Sequence, residues 1–356
     1  MTFRHRALVF GALVVASFPL TARVGAQDSV ARVVLPFELH GFVQVDYREG
    51  DPTTRDAFRL RKADIKFSGD LSPRLRWRIT FDVSKSETLN KTVSKIGDSL
   101  AVSDVSVDQR SRIVQDAALT YAVGRTLSLD IGQQIIPISL EGTIATAKVE
   151  TIERTMFIVE RSRATGLGDI RDIGVSANGR ALGVVEYHVC VFNETGEGAG
   201  TVDVNDQKAV MARIAIHPSV FPNFQFGGSG GFEGGPVKQR RERAGGEIQY
   251  MDSRLTLRTE AIGARDGNLR RFGWYGLSAL RPTPHLQLVG RFDSWDRDLS
   301  QELSLFDAME RQLTFGVSYL LDPSTKVAFN VIRQTFPNVA NPRAGTILMA
   351  AFQAVW

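Results

Sequence analysis

Between residues 59 and 78 the sequence sets Arg59, Arg61, Lys62, Lys66, Arg74, Arg76 and Arg78. Cations this dense on one surface could form an anion path. Each replaces part of an ion's hydration shell, and spreading the attraction over several weak sites lets the ion leave again. Most are two apart, which on an extended strand puts them on one face. Arg61 and Lys62 are adjacent, so they share that face only through a one-residue bulge. With neighbouring strands about 4.8 Å apart, the set would form one basic stripe. The competing use of the same cations is to pair with acids and stiffen a wall. Arg59 and Arg74 are expected nearest the rims.

The elements that would hold the stripe show period-two alternation. Leu75, Trp77, Ile79, Phe81 and Val83 alternate with Arg76, Arg78, Thr80 and Asp82, so one face meets an apolar medium and the other a polar one. The pattern recurs in Val43, Val45 and Tyr47, in Leu127, Leu129 and Ile131, in Leu286, Leu288 and Phe292, and in Leu313, Phe315, Val317 and Tyr319. About sixteen such strands are expected between residues 37 and 356, joined alternately by short turns and by longer, polar, Gly-rich links. This predicts an all-β fold, a transmembrane antiparallel β-barrel whose turns face the periplasm. The chain ends on Phe352, Ala354 and Trp356, an apolar-face aromatic terminus of the kind read by barrel assembly machinery.

The leading segment fits export. Arg4, His5 and Arg6 precede an apolar stretch from Ala7 to Leu20, and Val24, Gly25 and Ala26 supply a small-residue cleavage site. Residues 1–26 are therefore expected to be a cleaved signal peptide and 27–356 the barrel domain. Beyond it no run reaches the roughly 18 apolar residues of a spanning helix. Without Arg4, Arg6 and Arg23 the charges nearly balance, which gives no support to nucleic-acid binding. Cys190 is the single cysteine, so no disulfide or cysteine-based metal cluster is available, and no cofactor motif appears. A barrel enzyme of the lipid-hydrolase type would need a serine and histidine constellation. His40, His188 and His285 instead fall on separate polar-face positions and His217 beside a turn, so no catalytic residue is assigned. A structural or adhesive barrel with a blocked lumen is the other alternative.

Residues 134–168 form the longest link, more than twice the usual loop length, and are expected to fold into the lumen as a third external loop. Glu141, Lys148, Glu150, Glu153, Arg154, Glu160, Arg161 and Arg163 nearly balance. Lys148, Arg154, Arg161 and Arg163 are candidates for the solute path, with internal ion pairing as the alternative. The segment 85–111 is polar with a Val-rich middle and is expected to be the second external loop, either a latch onto a neighbour or a mobile surface loop.

The stretch FRLRKADIKFSGDLSPRLRWRITFDVSK, Phe58 to Lys85, resembles the phosphate-selective porin O and P family. So do DAALTY from Asp116, GQQIIPISLE from Gly132, IERTMFIVER from Ile152, RDIGVSANG from Arg171, VFNETG from Val191 and FDSWD from Phe292, in the same order. The resemblance implies a 16-stranded, usually trimeric outer-membrane porin that passes small anions through a basic lumen narrowed by the third loop. Its partners would be anionic solutes, outer-membrane lipids and lipopolysaccharide. The balanced charge of residues 134–168 weakens the phosphate assignment without touching the porin one.

Overall fold

A computed structural model describes residues 37–51, 56–85, 88–96, 99–108, 112–159, 167–194, 207–234, 240–299, 309–337 and 343–356. The N-terminal segment through residue 26, with its expected cleavage site, lies outside them. The strands are β1 (Glu38–Glu49), β2 (Ala57–Ser72), β3 (Leu75–Asp82), β4 (Thr88–Ile96), β5 (Ser99–Asp108), β6 (Val114–Ala122), β7 (Ser128–Ile135), β8 (Arg171–Ala181) and β9 (Val185–Phe192). They continue as β10 (Ala209–Ile216), β11 (Phe224–Glu233), β12 (Arg241–Met251), β13 (Leu255–Asp266), β14 (Leu269–Leu280), β15 (Leu286–Asp296), β16 (Met309–Asp322), β17 (Thr325–Phe336) and β18 (Arg343–Val355).

All but β4 and β5 form one closed antiparallel barrel of sixteen strands, sealed by β1 against β18. Closure leaves no unpaired strand edge, which a sheet in lipid requires. At the seam Gly41 and Trp356 exchange backbone hydrogen bonds of 2.9 and 3.1 Å. The Trp356 indole lies over Gly41 where any Cβ would collide with it, so glycine is what admits the terminal aromatic.

Burial is inverted relative to a protein dissolved in water. On β16, Leu313, Phe315, Val317 and Tyr319 are exposed, whereas Thr314 and Ser318 are buried, and Val45 against Gln44 and Asp46 on β1 and Leu257 against Thr256 and Arg258 on β13 follow the same rule. Apolar side chains point outward and polar ones into the lumen, as the alternation predicts. The bulge is present too. Gln44 pairs with Lys62 and Val45 with Leu60, leaving Arg61 as the extra residue, so Arg61 and Lys62 face inward together.

The link at 85–111, expected as the second external loop, contains the separate hairpin β4–β5. The β13–β14 connection is a tight turn, with Gly267 at φ +61°. One expectation needs correction. His285 is not in the lumen: its ring stacks on outward-facing Tyr319 at 6.0 Å.

Phe315 lies mid-strand on the outer face and is 60% exposed. Replacing it with Arg should destabilise the barrel in bilayers by about 2–4 kcal/mol in urea titrations, whereas Phe315→Leu should stay within about 1 kcal/mol.

Candidate functional site

The loop between β7 and β8 enters the barrel and is held on several sides. It opens with Ser139, whose backbone φ is 68° and whose hydroxyl accepts the Gly142 N–H at 3.0 Å, starting the short helix α1 (Leu140–Thr143). The N–H groups of Leu140 and Glu141 donate to the Glu260 carboxylate on β13 at 2.9 and 3.3 Å, so the wall satisfies donors that a helix start leaves open. Further on, the turn α2 (Met156–Val159) carries Phe157 and Ile158 into a fully buried cluster. Phe157 packs against Tyr275 and Trp295 with ring centroids 6.1 and 6.3 Å apart. Each such side chain contributes about 1.5–3 kcal/mol when withdrawn from water. Against β17 and β18, further round the same wall, Ile152 packs with Ile332, Ile347 and Met349.

Ion pairs complete the attachment. The Arg258 guanidinium donates to both Glu150 oxygens at 3.0 and 3.2 Å. Arg291 is fully buried and donates to Asp293, to the Thr151 hydroxyl, and to the backbone oxygens of Glu153 and Arg154 at 2.7, 2.7, 2.8 and 3.1 Å. Glu153 takes both terminal nitrogens of Arg61 and approaches Arg59 and Arg48 at 3.5 and 3.6 Å. Lys326 donates to Val149 O at 3.2 Å and Gln353 to Ala147 O at 3.3 Å. Burial alone would push the Glu153 carboxyl up. The charge of Arg61, its hydrogen bonds, and the charges of Arg48 and Arg59 outweigh that and hold it down at about 2. Burial pushes Glu141 the other way, upward, despite nearby Arg291 and Arg154.

The stripe is thus divided. Arg59 is bound to Asp46 at 2.7 Å, Arg61 to Glu153, and Lys62 lies 3.6 Å from Asp64 and donates to Thr146 at 3.3 Å. Lys66 stays 43% and Arg78 35% exposed, the latter sharing Asp130 at 3.1 Å and the Thr120 hydroxyl at 3.0 Å. Arg76 pairs with Glu38 toward the turn end, and Arg74 is exposed in the turn between β2 and β3. Arg59 was expected at a rim but its head group reaches the loop. Arg154 is buried, bonded to backbone oxygens of Glu141 and Ile144 and 3.8 Å from Asp169. Lys148 is exposed. Arg161 and Arg163 lie outside the described residues.

Two cavities flank the loop and reach the turn end. The first, about 670 Å³, is lined by Lys62, Lys66, Arg78, Arg154, Arg171 and Arg180 against Asp64, Asp116, Asp130, Asp169 and Glu186. The second, about 680 Å³, is lined by Lys148, Arg258, Arg281 and Lys326 against Glu150 and Asp322, so its cation excess is the larger. The segment around Ile144 borders both. The stripe argument missed Arg258, Arg281 and Lys326. Only the polar-face position of Arg258 between Thr256 and Glu260 could have flagged any of them.

Glu153→Gln leaves Arg61 buried beside a neutral amide, a loss expected to weaken the loop's attachment by about 3–5 kcal/mol. The carboxyl's depressed value implies that its contribution is complete above about pH 4.5 and fades as pH falls toward about 2. Limited proteolysis of the folded barrel should find the wild-type loop protected from pH 8 to 5 and cut more readily below pH 4, while Glu153→Gln is cut at every pH.

Similar architecture recurs in solved structures. The outer membrane channel DcaP of Acinetobacter baumannii matches at 12% identity and TM-score 0.59, covering 90% of this chain and 97% of that one. An anion-selective porin from Comamonas acidovorans matches at 10% identity and TM-score 0.58, with 90% and 99% covered. Salmonella typhi OmpF in complex with daunomycin matches at 8% identity and TM-score 0.60, with 90% and 97% covered. These likenesses establish the fold alone. No curated protein matches the chain. The family model for phosphate-selective porin O and P matches residues 33–219, over half of the chain, and the chain belongs to that family.

Proposed function

We propose that this porin is a passive diffusion channel of the outer membrane, exported by removal of residues 1–26, with a modest preference for small anions. The observation that carries the preference is the cation excess lining both cavities beside the loop, where Lys66, Arg78, Lys148 and Arg281 keep exposed charge. Exposed lumenal cations attract anions without trapping them, whereas Arg61, Arg258 and Arg291 are committed to carboxylates and backbone oxygens and serve the wall. Among the stripe residues, Lys66 and Arg78 are the proposed solute contacts, while Arg76 is paired with Glu38 outside both cavities. A strongly phosphate-specific site is not part of the proposal, because five carboxylates interleave the cations of the first cavity. Assembly as a homotrimer is proposed by likeness to an outer membrane protein of Vibrio cholerae, OmpT, solved in a trimer form, at 9% identity and TM-score 0.54.

Reversal potentials of single channels under a KCl gradient test this reading. Arg78→Gln combined with Lys148→Gln should lower the anion-to-cation permeability ratio by about two-fold or more with conductance retained, since lumen changes tune selectivity. An unchanged ratio would remove these residues from the path, and a folded barrel without conductance would reject the channel.

A further inference from the structure

At the loop end of β13 and β14 the outer wall carries an arrangement that solute passage does not use. Arg265 and Arg270 sit directly opposite each other in the antiparallel register, both outward and exposed. Like charges so placed oppose pairing. The acid in register with Arg265 is Glu242, which is already engaged by Arg240 at 3.2 Å. Among the described residues no carboxylate pairs with Arg265 or Arg270, and Arg265 only donates to Gly267 O at 3.0 Å. Immediately below them an open groove of about 380 Å³, lined at the rim by Glu242 as well, has an apolar floor that includes Ala244, Gly263 and Phe272, with Leu299 beside Arg270. Above Gly263 the space is open, with only Ala244 O within 4 Å of an added Cβ, so the barrel's own packing does not demand a small residue there.

We infer that this groove binds a phosphorylated lipid of the outer leaflet, its phosphate between Arg265 and Arg270 and an acyl chain along Ala244, Gly263 and Phe272. The charge order fits an amphiphile standing in the membrane: cations at the rim where head groups lie and apolar floor below. A planar guanidinium binds phosphate in two-pronged fashion, and two of them relieve the like-charge contact across the strands. The inference rests on the barrel spanning a membrane, not on what it conducts.

The test uses the full barrel in detergent with bis-phosphorylated lipid A as probe, bound lipid being counted by native mass spectrometry. One tightly held molecule is expected, with affinity falling about tenfold or more in Arg265→Gln/Arg270→Gln and for the dephosphorylated lipid, because charge-assisted hydrogen bonds are lost. Gly263→Leu, which fills the groove and keeps both arginines, should weaken binding as well. Unchanged binding in the double variant overturns the inference. So does displacement of the lipid by millimolar inorganic phosphate, which would mean a free-anion site, or loss of oligomer with lipid retained, which would mean a partner barrel. Single-channel conductance of the double variant should equal wild type, so failure here is distinguishable from failure of the channel reading.

Discussion

A chain segment that crosses the inside of a barrel leaves water on both flanks and must find partners on the wall for its own backbone and charged groups. In this porin Arg291 meets that constraint. Its guanidinium, without solvent exposure, binds Asp293 on its own strand and three oxygens of the loop between Thr151 and Arg154. A buried guanidinium is costly unless all its donors are used, so the loop's path past this point is tightly specified. From there Glu153 reaches Arg61 on one wall, Glu150 reaches Arg258 on another, and Phe157 and Ile158 are drawn into the cluster against Tyr275 and Trp295.

The chemistry of the lumen follows from how these pairs are shared. The loop contributes acids to wall arginines and keeps its own Arg154 for backbone oxygens, so a loop of balanced composition neutralises part of the wall. The cations that remain open to the cavities are Lys66 and Arg78 on β2 and β3 at one flank, and the loop's own Lys148 with Arg281 beside the turns at the other. Anion preference in this account is a residue of structural pairing, which explains why it should be modest and distributed.

The barrel was legible because lipid on one side and water on the other force a period of two on most strands, although β10 and β14 turn Met211, Tyr275 and Leu277 inward beneath the loop. Arg61 next to Lys62 disclosed the bulge, since two cations cannot both face the lumen without one. The hairpin β4–β5 was not legible, because TLNKTVSKI shows no strict alternation of apolar and polar residues. The fate of Arg59 and Arg61 was also hidden. Their partner Glu153 lies more than ninety residues away, and nothing local in the sequence announces that contact. Counting the loop's charges in isolation pointed to internal pairing, whereas the acids pair outward with the wall.

The central claim is that the loop lies pinned across the lumen against the closing strand. A cross-link between Ala147→Cys and Gln353→Cys, in a Cys190→Ala background, made with a short bifunctional thiosulfonate that spans the length of the removed glutamine side chain, tests it most directly, because the Gln353 amide donates to Ala147 O at 3.3 Å. The account predicts that the cross-link forms in the folded barrel and leaves single-channel conductance unchanged. Absence of the cross-link, or a cross-link that closes the channel, would mean that the loop rests elsewhere and that the two cavities are not the working path.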